Sequence, residues 1–251
     1  LDDNFASIVN AVEEGRAVFA NMRRFTSYMF TSNAPEAIPF MLFAFSAGRI
    51  PLALGIMAVL SIDLGTDLVP ALALGADPPE PGVMDRPPRA RSVHLATTAL
   101  LGRAFLLLGL VAGLAAMTMF FGWYWTHGYA GQWLELPDDG DVYHQAVSMA
   151  LATVVFTQIG NLFAQRAEST AIYRLDLRTN RLVWVGIASE LAILGAIIYV
   201  PFLQRLILTG SLPWSAWLWL VPTIPLLPLA DGVRKAVARR RRPSPVEVSR
   251  P

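Results

Sequence analysis

The 251 residues are 54% hydrophobic and only 16% charged, where soluble domains carry roughly a quarter charged residues. With no cysteine, a disulfide framework, thiolate chemistry and a Cys-based metal site are all excluded. A net charge of +1 says little as a sum, but the placement of the charges orients the chain.

The chain opens on Leu1-Asp2-Asp3-Asn4-Phe5, without the basic start and short apolar core of a signal peptide. It reads as the interior of a larger protein, so a fragment or truncated product is expected. From Asp3 to Arg24 the pattern is helical and amphipathic. Phe5, Ile8, Val9 and Val12 share one face, and Glu13, Glu14 and Arg16 lie elsewhere. Residues 1–24 are expected to form a cytoplasmic stalk helix leading straight into apolar sequence.

Six apolar stretches then follow, each near the ~20 residues that a bilayer-crossing helix needs. They run from about Phe25 to Phe45, Leu52 to Leu74, Leu100 to Trp123, Gln145 to Phe163, Leu182 to Phe202 and Trp214 to Leu229. All must be helices, because a strand edge cannot satisfy its backbone in lipid. The predicted fold class is all-α: a polytopic transmembrane bundle of about six spans over residues 25–231, followed by a basic tail over 232–251.

Arginine placement sets the topology. Arg23 and Arg24 precede span one; Arg86, Arg89 and Arg91 lie between spans two and three. Arg166, Arg174, Arg178 and Arg181 lie between four and five, and Arg234, Lys235 and Arg239 to Arg242 follow six. The alternate loops carry only Arg49 or Arg205, and the 126–143 loop carries Glu135, Asp138, Asp139 and Asp141 without a Lys or Arg. The positive-inside rule puts both ends in the cytoplasm, and an integral protein of the plasma (inner) membrane is expected. Tyr124, Trp125, Trp214 and Trp217 fall where aromatic belts are expected.

Span one contains Thr31-Ser32-Asn33-Ala34-Pro35-Glu36-Ala37-Ile38-Pro39. A carboxylate at this depth costs about 2.5–3.5 kcal/mol even on lenient insertion scales. Asn33 and Glu36, three apart, are expected on one helix face, and Pro35 and Pro39 each free a backbone carbonyl. Span two contains Asp63-Leu64-Gly65-Thr66-Asp67-Leu68-Val69-Pro70, with two acids four apart and Gly65 and Pro70 weakening the helix. Irregular backbone inside a membrane is tolerated where it is buried in protein or lines a cavity, as in transporter ion sites. Glu36, Asp63 and Asp67 are expected to converge as oxygen ligands for a hard cation.

Later spans add Gln158 and Asn161, one turn apart in span four, and Glu190, a lone acid in span five. The amides serve equally well as helix glue or as ion ligands. Arg103 is expected to snorkel to the headgroups, and Gly109 and Gly113 to mark close helix packing. His127 and His144 are too isolated for a metal site, and no nucleic-acid module accompanies the basic tail.

These motifs resemble those of type II P-type cation-transporting ATPases. Asp2-Asp3-Asn4-Phe5-Ala6-Ser7-Ile8-Val9 with Val12-Glu13-Glu14-Gly15-Arg16 is similar to the stalk entering their fifth membrane helix. Thr31 to Glu36 resembles the cation-binding fifth helix of sodium/potassium pumps, Asp63 to Pro70 their sixth, and Asp231-Gly232-Val233-Arg234-Lys235 the close of their tenth. The resemblance covers almost the whole chain and implies that the six spans are helices five to ten. It implies Asn33, Glu36, Asp63, Thr66 and Asp67 as cation ligands, with Ser32 a further contributor in the sodium/potassium branch. Gln158 falls where that branch has glutamine and calcium pumps a ligand glutamate. Asn161 replaces an aspartate of an extra sodium site to which Glu190 also corresponds.

The resemblance implies a transported cation (sodium, potassium or calcium) and, as partners, the lipid bilayer and the remaining N-terminal part of the pump. ATP and Mg2+ would act only through cytoplasmic domains. The phosphorylation motif, the nucleotide-binding domain, the dephosphorylation motif and the fourth membrane helix are missing from these residues. The short 126–143 loop lacks the motif expected for an accessory β subunit, and the chain closes on Val248-Ser249-Arg250-Pro251 without the paired tyrosines of animal sodium pumps. A different class remains as the alternative: a non-catalytic membrane protein, either a passive pore or a regulatory remnant of a pump.

Overall fold

The computed structural model describes residues 5–79, 82–85, 87, 94–166 and 179–240. Several features read above lie outside these residues: the opening Asp2-Asp3-Asn4, Arg86, Arg89, Arg91, Arg174, Arg178, and the tail from residue 241 onwards. Among the described residues all regular structure is helical.

The first helix, α1 (Phe5–Phe45), runs unbroken for 41 residues, so the stalk and span one are a single rod. At 1.5 Å per residue it is about 60 Å long. Pro35 and Pro39 lie inside it, both buried. An interior proline breaks a helix in water, but neighbouring membrane helices hold such a helix together.

Span two is interrupted, as its glycine and proline suggest. It consists of α2 (Ile56–Ser61), a π-helical turn (Ile62–Thr66) and α3 (Leu68–Gly75). The turn closes with Asp67 N donating to Ile62 O at 2.9 Å, one residue wider than an α-turn. Span three begins at α4 (Thr98–Leu101), where Thr97 Oγ1 accepts from Leu100 N. It continues through a π-helical stretch (Gly102–Gly109) into α5 (Leu110–Thr126). Span four is α6 (Asp141–Arg166), and span five is α7 (Arg181–Tyr199), capped by Asn180. A short helix, α8 (Pro201–Ile207), precedes span six, which is α9 (Trp214–Leu220), a tight turn at Val221–Thr223 containing Pro222, and α10 (Leu226–Arg240).

Five of the six expected spans are long and apolar enough to cross a membrane: Ile56–Gly75, Thr98–Thr126, Asp141–Arg166, Arg181–Tyr199 and Trp214–Ala238. The stretch 25–45 of α1 falls short of that measure because Thr31, Ser32, Asn33 and Glu36 dilute it. These are the residues that give the span its chemical interest.

The bundle is built around α6, whose residues 146–162 are all buried. Small residues permit the close approaches. A Cβ added at Gly109 would collide with Ala34 of α1, and one at Gly113 with Ile38, so the expected close packing at these glycines is present. Gly160 of α6 lies against the Ile224 carbonyl, and Gly186 of α7 against Pro70 of the broken span two.

Two expectations are corrected. Tyr124 belongs to no interfacial belt: it is fully buried, and its hydroxyl donates to Pro137 O at 2.6 Å beneath the following loop. Trp214 fits the belt reading, at 86% exposed. Arg103 does not snorkel to the headgroups but is buried, at 7% exposed, and its Nε donates to Asp231 Oδ1 at 2.7 Å. A charge-assisted hydrogen bond to a carboxylate on span six holds the guanidinium inside the bundle.

A second buried ion cluster joins the middle of α1 to the ends of α3, α6 and α7. The Asp77 carboxylate accepts from Arg166 Nε (3.1 Å) and Asn180 Nδ2 (2.7 Å) and lies 3.7 Å from Arg24 Nη1. Its carbonyl accepts from Asn21 Nδ2 at 2.5 Å. Replacing Asp77 by alanine removes the carboxylate shared by two buried guanidinium groups. We expect a cost of about 3–5 kcal/mol, to be measured as a lower thermal unfolding midpoint in detergent.

Candidate functional site

Where the π-helical turn of span two faces α1, polar groups from both helices meet. Asp67, fully buried, is at the centre. Ser32 Oγ of α1 donates to Asp67 Oδ2. Tyr28 Oη, also of α1, donates to Oδ1 at 3.4 Å, and Thr66 Oγ1 lies 3.5 Å from the same oxygen. Thr66 Oγ1 also donates to Ile62 O at 3.0 Å, a carbonyl that accepts from Asp67 N as well. The wide turn thus places Thr66 and Asp67 together on the buried side of the span.

Asp63, half-buried, sits one turn earlier and is reached from α1 by Asn33. With the Asn33 amide turned so that its nitrogen faces acceptors, it donates to Met29 O at 2.9 Å and to Asp63 Oδ1 at 3.3 Å. Glu36 is buried, and its Oε1 has no hydrogen-bond partner. Asp63 and Asp67 are near enough to act on Glu36 through their charges. Glu190 of α7 is fully buried with both carboxylate oxygens unpartnered, and Asp67 acts on it in turn.

The expected three-acid convergence is looser than the sequence reading supposed. Among the described residues no group of three or more His, Asp and Glu side chains forms a preformed metal cluster. The oxygens of Asp67 are turned towards the hydroxyls of Ser32, Tyr28 and Thr66. Asn33 and Glu36 differ in burial: Asn33 is exposed where it reaches Asp63, while Glu36 is buried.

In span four, Gln158 and Asn161 are fully buried and bonded to each other, with Asn161 Nδ2 donating to Gln158 Oε1 at 2.8 Å. Asn161 Nδ2 also reaches Tyr28 O of α1 at 3.4 Å. Two participants were missed in the sequence. Tyr28 lies four residues before Ser32, so helical spacing alone would have put it on the same face. Gln165 follows Asn161 by the same interval, and its Nε2 donates to Asn161 Oδ1 at 2.7 Å.

The charges are matched unevenly across the bundle. Asp77 and Asp231, near the ends of the spans, are each ion-paired with arginine. Among the described residues none of Glu36, Asp63, Asp67 and Glu190 forms an ion pair. Glu36, Asp67 and Glu190 are thus buried, and Asp63 half-buried, without an ion-pair partner among the described residues.

Residues 51–237 match the family model for the C-terminus of cation transporting ATPases. The chain is 32% identical to the sodium/potassium-transporting ATPase subunit alpha-4 of Rattus norvegicus, over 96% of its own length and 26% of that protein. It is 31% identical to the Homo sapiens alpha-4 subunit, over 96% of its length and 25% of that protein. It is 30% identical to the potassium-transporting ATPase alpha chain 2 of Rattus norvegicus, over 95% of its length and 25% of that protein. It therefore spans about a quarter of the curated relatives it matches. An interrupted span, unpaired interior acids and apolar helices throughout accompany that match, and the chain is an integral membrane protein belonging to the cation-transporting ATPase C-terminal family.

Proposed function

We propose that this chain is the membrane transport half of a P-type ATPase of the sodium/potassium branch. It would carry cations across the plasma membrane with ATP hydrolysed by domains outside these 251 residues. One observation carries the reading: Glu36, Asp63, Asp67 and Glu190 share the bundle interior without a basic partner. Each ionised acid at such depth costs about 2.5–3.5 kcal/mol, and a bound cation offsets several of those penalties at once. Ser32 and Thr66 would add neutral hydroxyl oxygens of the kind that hard cations take beside carboxylates.

The unbroken α1 supports a mechanism. A push or pull on its stalk, delivered by phosphorylation elsewhere in the protein, would move Ser32, Asn33 and Glu36 as one body against the interrupted span two. Such movement would alternate the access and affinity of the site. The arginine distribution supports cytoplasmic placement of the stalk (1–24) and tail (232–251), with the six spans over 25–231 between them. The rest of the pump would supply the nucleotide and Mg2+ chemistry, and nothing in the 126–143 loop calls for an accessory subunit.

The test uses the complete protein. Glu36→Gln keeps the shape but removes a charge, and we expect it to raise the sodium or potassium concentration that half-activates ATP hydrolysis by about tenfold, equivalent to ~1.4 kcal/mol. Activation unchanged by Glu36→Gln would remove Glu36 from the site. Cation flux through purified protein without ATP would favour the passive-pore alternative.

A further inference from the structure

Gln158 and Asn161 belong to a longer ladder of hydrogen bonds whose direction is set at one end. That end is Arg103, on the π-helical stretch of span three. Asp231 Oδ1 holds its Nε at 2.7 Å, and Asp231 is itself paired with Arg234 and Lys235 at 2.8 Å each. Arg103 Nη1 donates to Gln165 Oε1 at 2.8 Å and to Ser27 Oγ at 3.3 Å, and Nη2 to Ala164 O at 3.5 Å.

A guanidinium can only donate, so the amide facing it must present its oxygen. The rest follows by elimination along α6. With Gln165 Oε1 turned to Arg103, Gln165 Nε2 faces inward and donates to Asn161 Oδ1 at 2.7 Å. With Asn161 Oδ1 so engaged, Asn161 Nδ2 faces onward and donates to Gln158 Oε1 at 2.8 Å. The last group of the ladder is therefore Gln158 Nε2, and it is buried without a partner. Flipping Gln165 or Asn161 sets donor against donor at one neighbour and acceptor against acceptor at the other, and flipping Gln158 sets its Nε2 against Asn161 Nδ2, so the ladder holds a single direction.

We propose that Arg103 is a positioning residue that orients the span-four amides, so that this wall presents an N–H donor and takes an oxygen acceptor, such as water, in place of a cation. The inference rests on the transport reading above and narrows it. Cation ligands come from spans one, two and five, while Gln158 and Asn161 contribute no inward oxygen. Arg103 thereby limits how many cations the site holds, although it touches none of them.

Reversing the hydrogen-bond direction of the ladder supplies the test. Gln165→Glu offers only acceptors, satisfies Arg103 equally well and leaves the Arg103–Asp231 pair intact. Asn161 must then donate towards residue 165, Gln158 must donate to Asn161, and Gln158 Oε1 becomes the inward group. Equilibrium binding of radioactive sodium and rubidium ions to the complete protein reads the result. Gln158→Leu alone is expected to leave half-saturation within about twofold of wild type. Gln165→Glu is expected to tighten binding by about fivefold or to add a bound cation. The double variant Gln165→Glu/Gln158→Leu is expected to return to the wild-type value, a reversal that mere loosening of the bundle would not produce.

Weakening by about tenfold in Gln158→Leu would make Gln158 a ligand and overturn the proposal, as would a folded Gln165→Glu without tighter or additional binding. Should Gln165→Glu fail to fold, Gln158→Leu still decides. Asp67→Asn, assayed in parallel, separates the two readings. If it binds as wild type does, the transport reading falls. If it loses binding and Gln158→Leu also loses binding, the ladder inference alone falls.

Discussion

Asp67→Asn in the complete protein should abolish cation-stimulated ATP hydrolysis, by about a hundredfold or more, equivalent to ~2.7 kcal/mol. Asp67 is the only one of the interior acids that is both fully buried and surrounded by hydroxyls, those of Ser32, Tyr28 and Thr66. Asparagine keeps the size but removes the charge, and its amide nitrogen would meet donors where the carboxylate accepted. The loss therefore combines a weaker pull on the cation with a locally inverted hydrogen-bond pattern. The measurement is hydrolysis against sodium and potassium concentration in membranes with equal amounts of wild type and variant. Wild-type stimulation in the variant would take Asp67 out of the mechanism.

Gly160→Val should cripple assembly of the bundle without touching an acid. A Cβ at residue 160 would run into the Ile224 carbonyl oxygen and come within 3.0 Å of Pro228. Backbone cannot rotate away as a flexible side chain can, so α6 and span six must separate. Overpacking of this kind costs about 1–3 kcal/mol where side chains can adjust, and more where backbone is hit. The expected result is loss of a monodisperse peak in detergent size-exclusion chromatography and a markedly lower unfolding temperature. Gly195→Ala is the matched control: nothing lies within 4 Å of its added Cβ, and a change within about 1 kcal/mol is expected. A stable, monodisperse Gly160→Val would show that the α6–span six contact contributes little.

Apolar stretches of spanning length, the arginine alternation and the helix breakers around Asp63 and Asp67 were all legible before any coordinates. Each follows from a one-dimensional rule: bilayer thickness, charge asymmetry, and the backbone habits of glycine and proline. Span one shows the limit of counting apolarity, since the residues that make it interesting also make it the least apolar. Helical spacing alone also puts Tyr28 on the face of Ser32, four residues on. Arg103 was misjudged for a different reason. Snorkelling is the ordinary fate of an arginine near a membrane surface, and only the fold could reveal a carboxylate 128 positions away waiting for it.

Composition and pattern alone thus decided that this is a helical membrane protein with acids stranded in three of its spans. Those properties depend on which residues occur and at what intervals along one helix. Tertiary structure decided which acids keep a partner and which do not, and in which direction each amide points. Both depend on contacts between side chains far apart in sequence, where an arginine on one span can dictate the orientation of a glutamine on another. Hydrogen-bond direction is a property of a closed network, and the network exists only once the helices have packed.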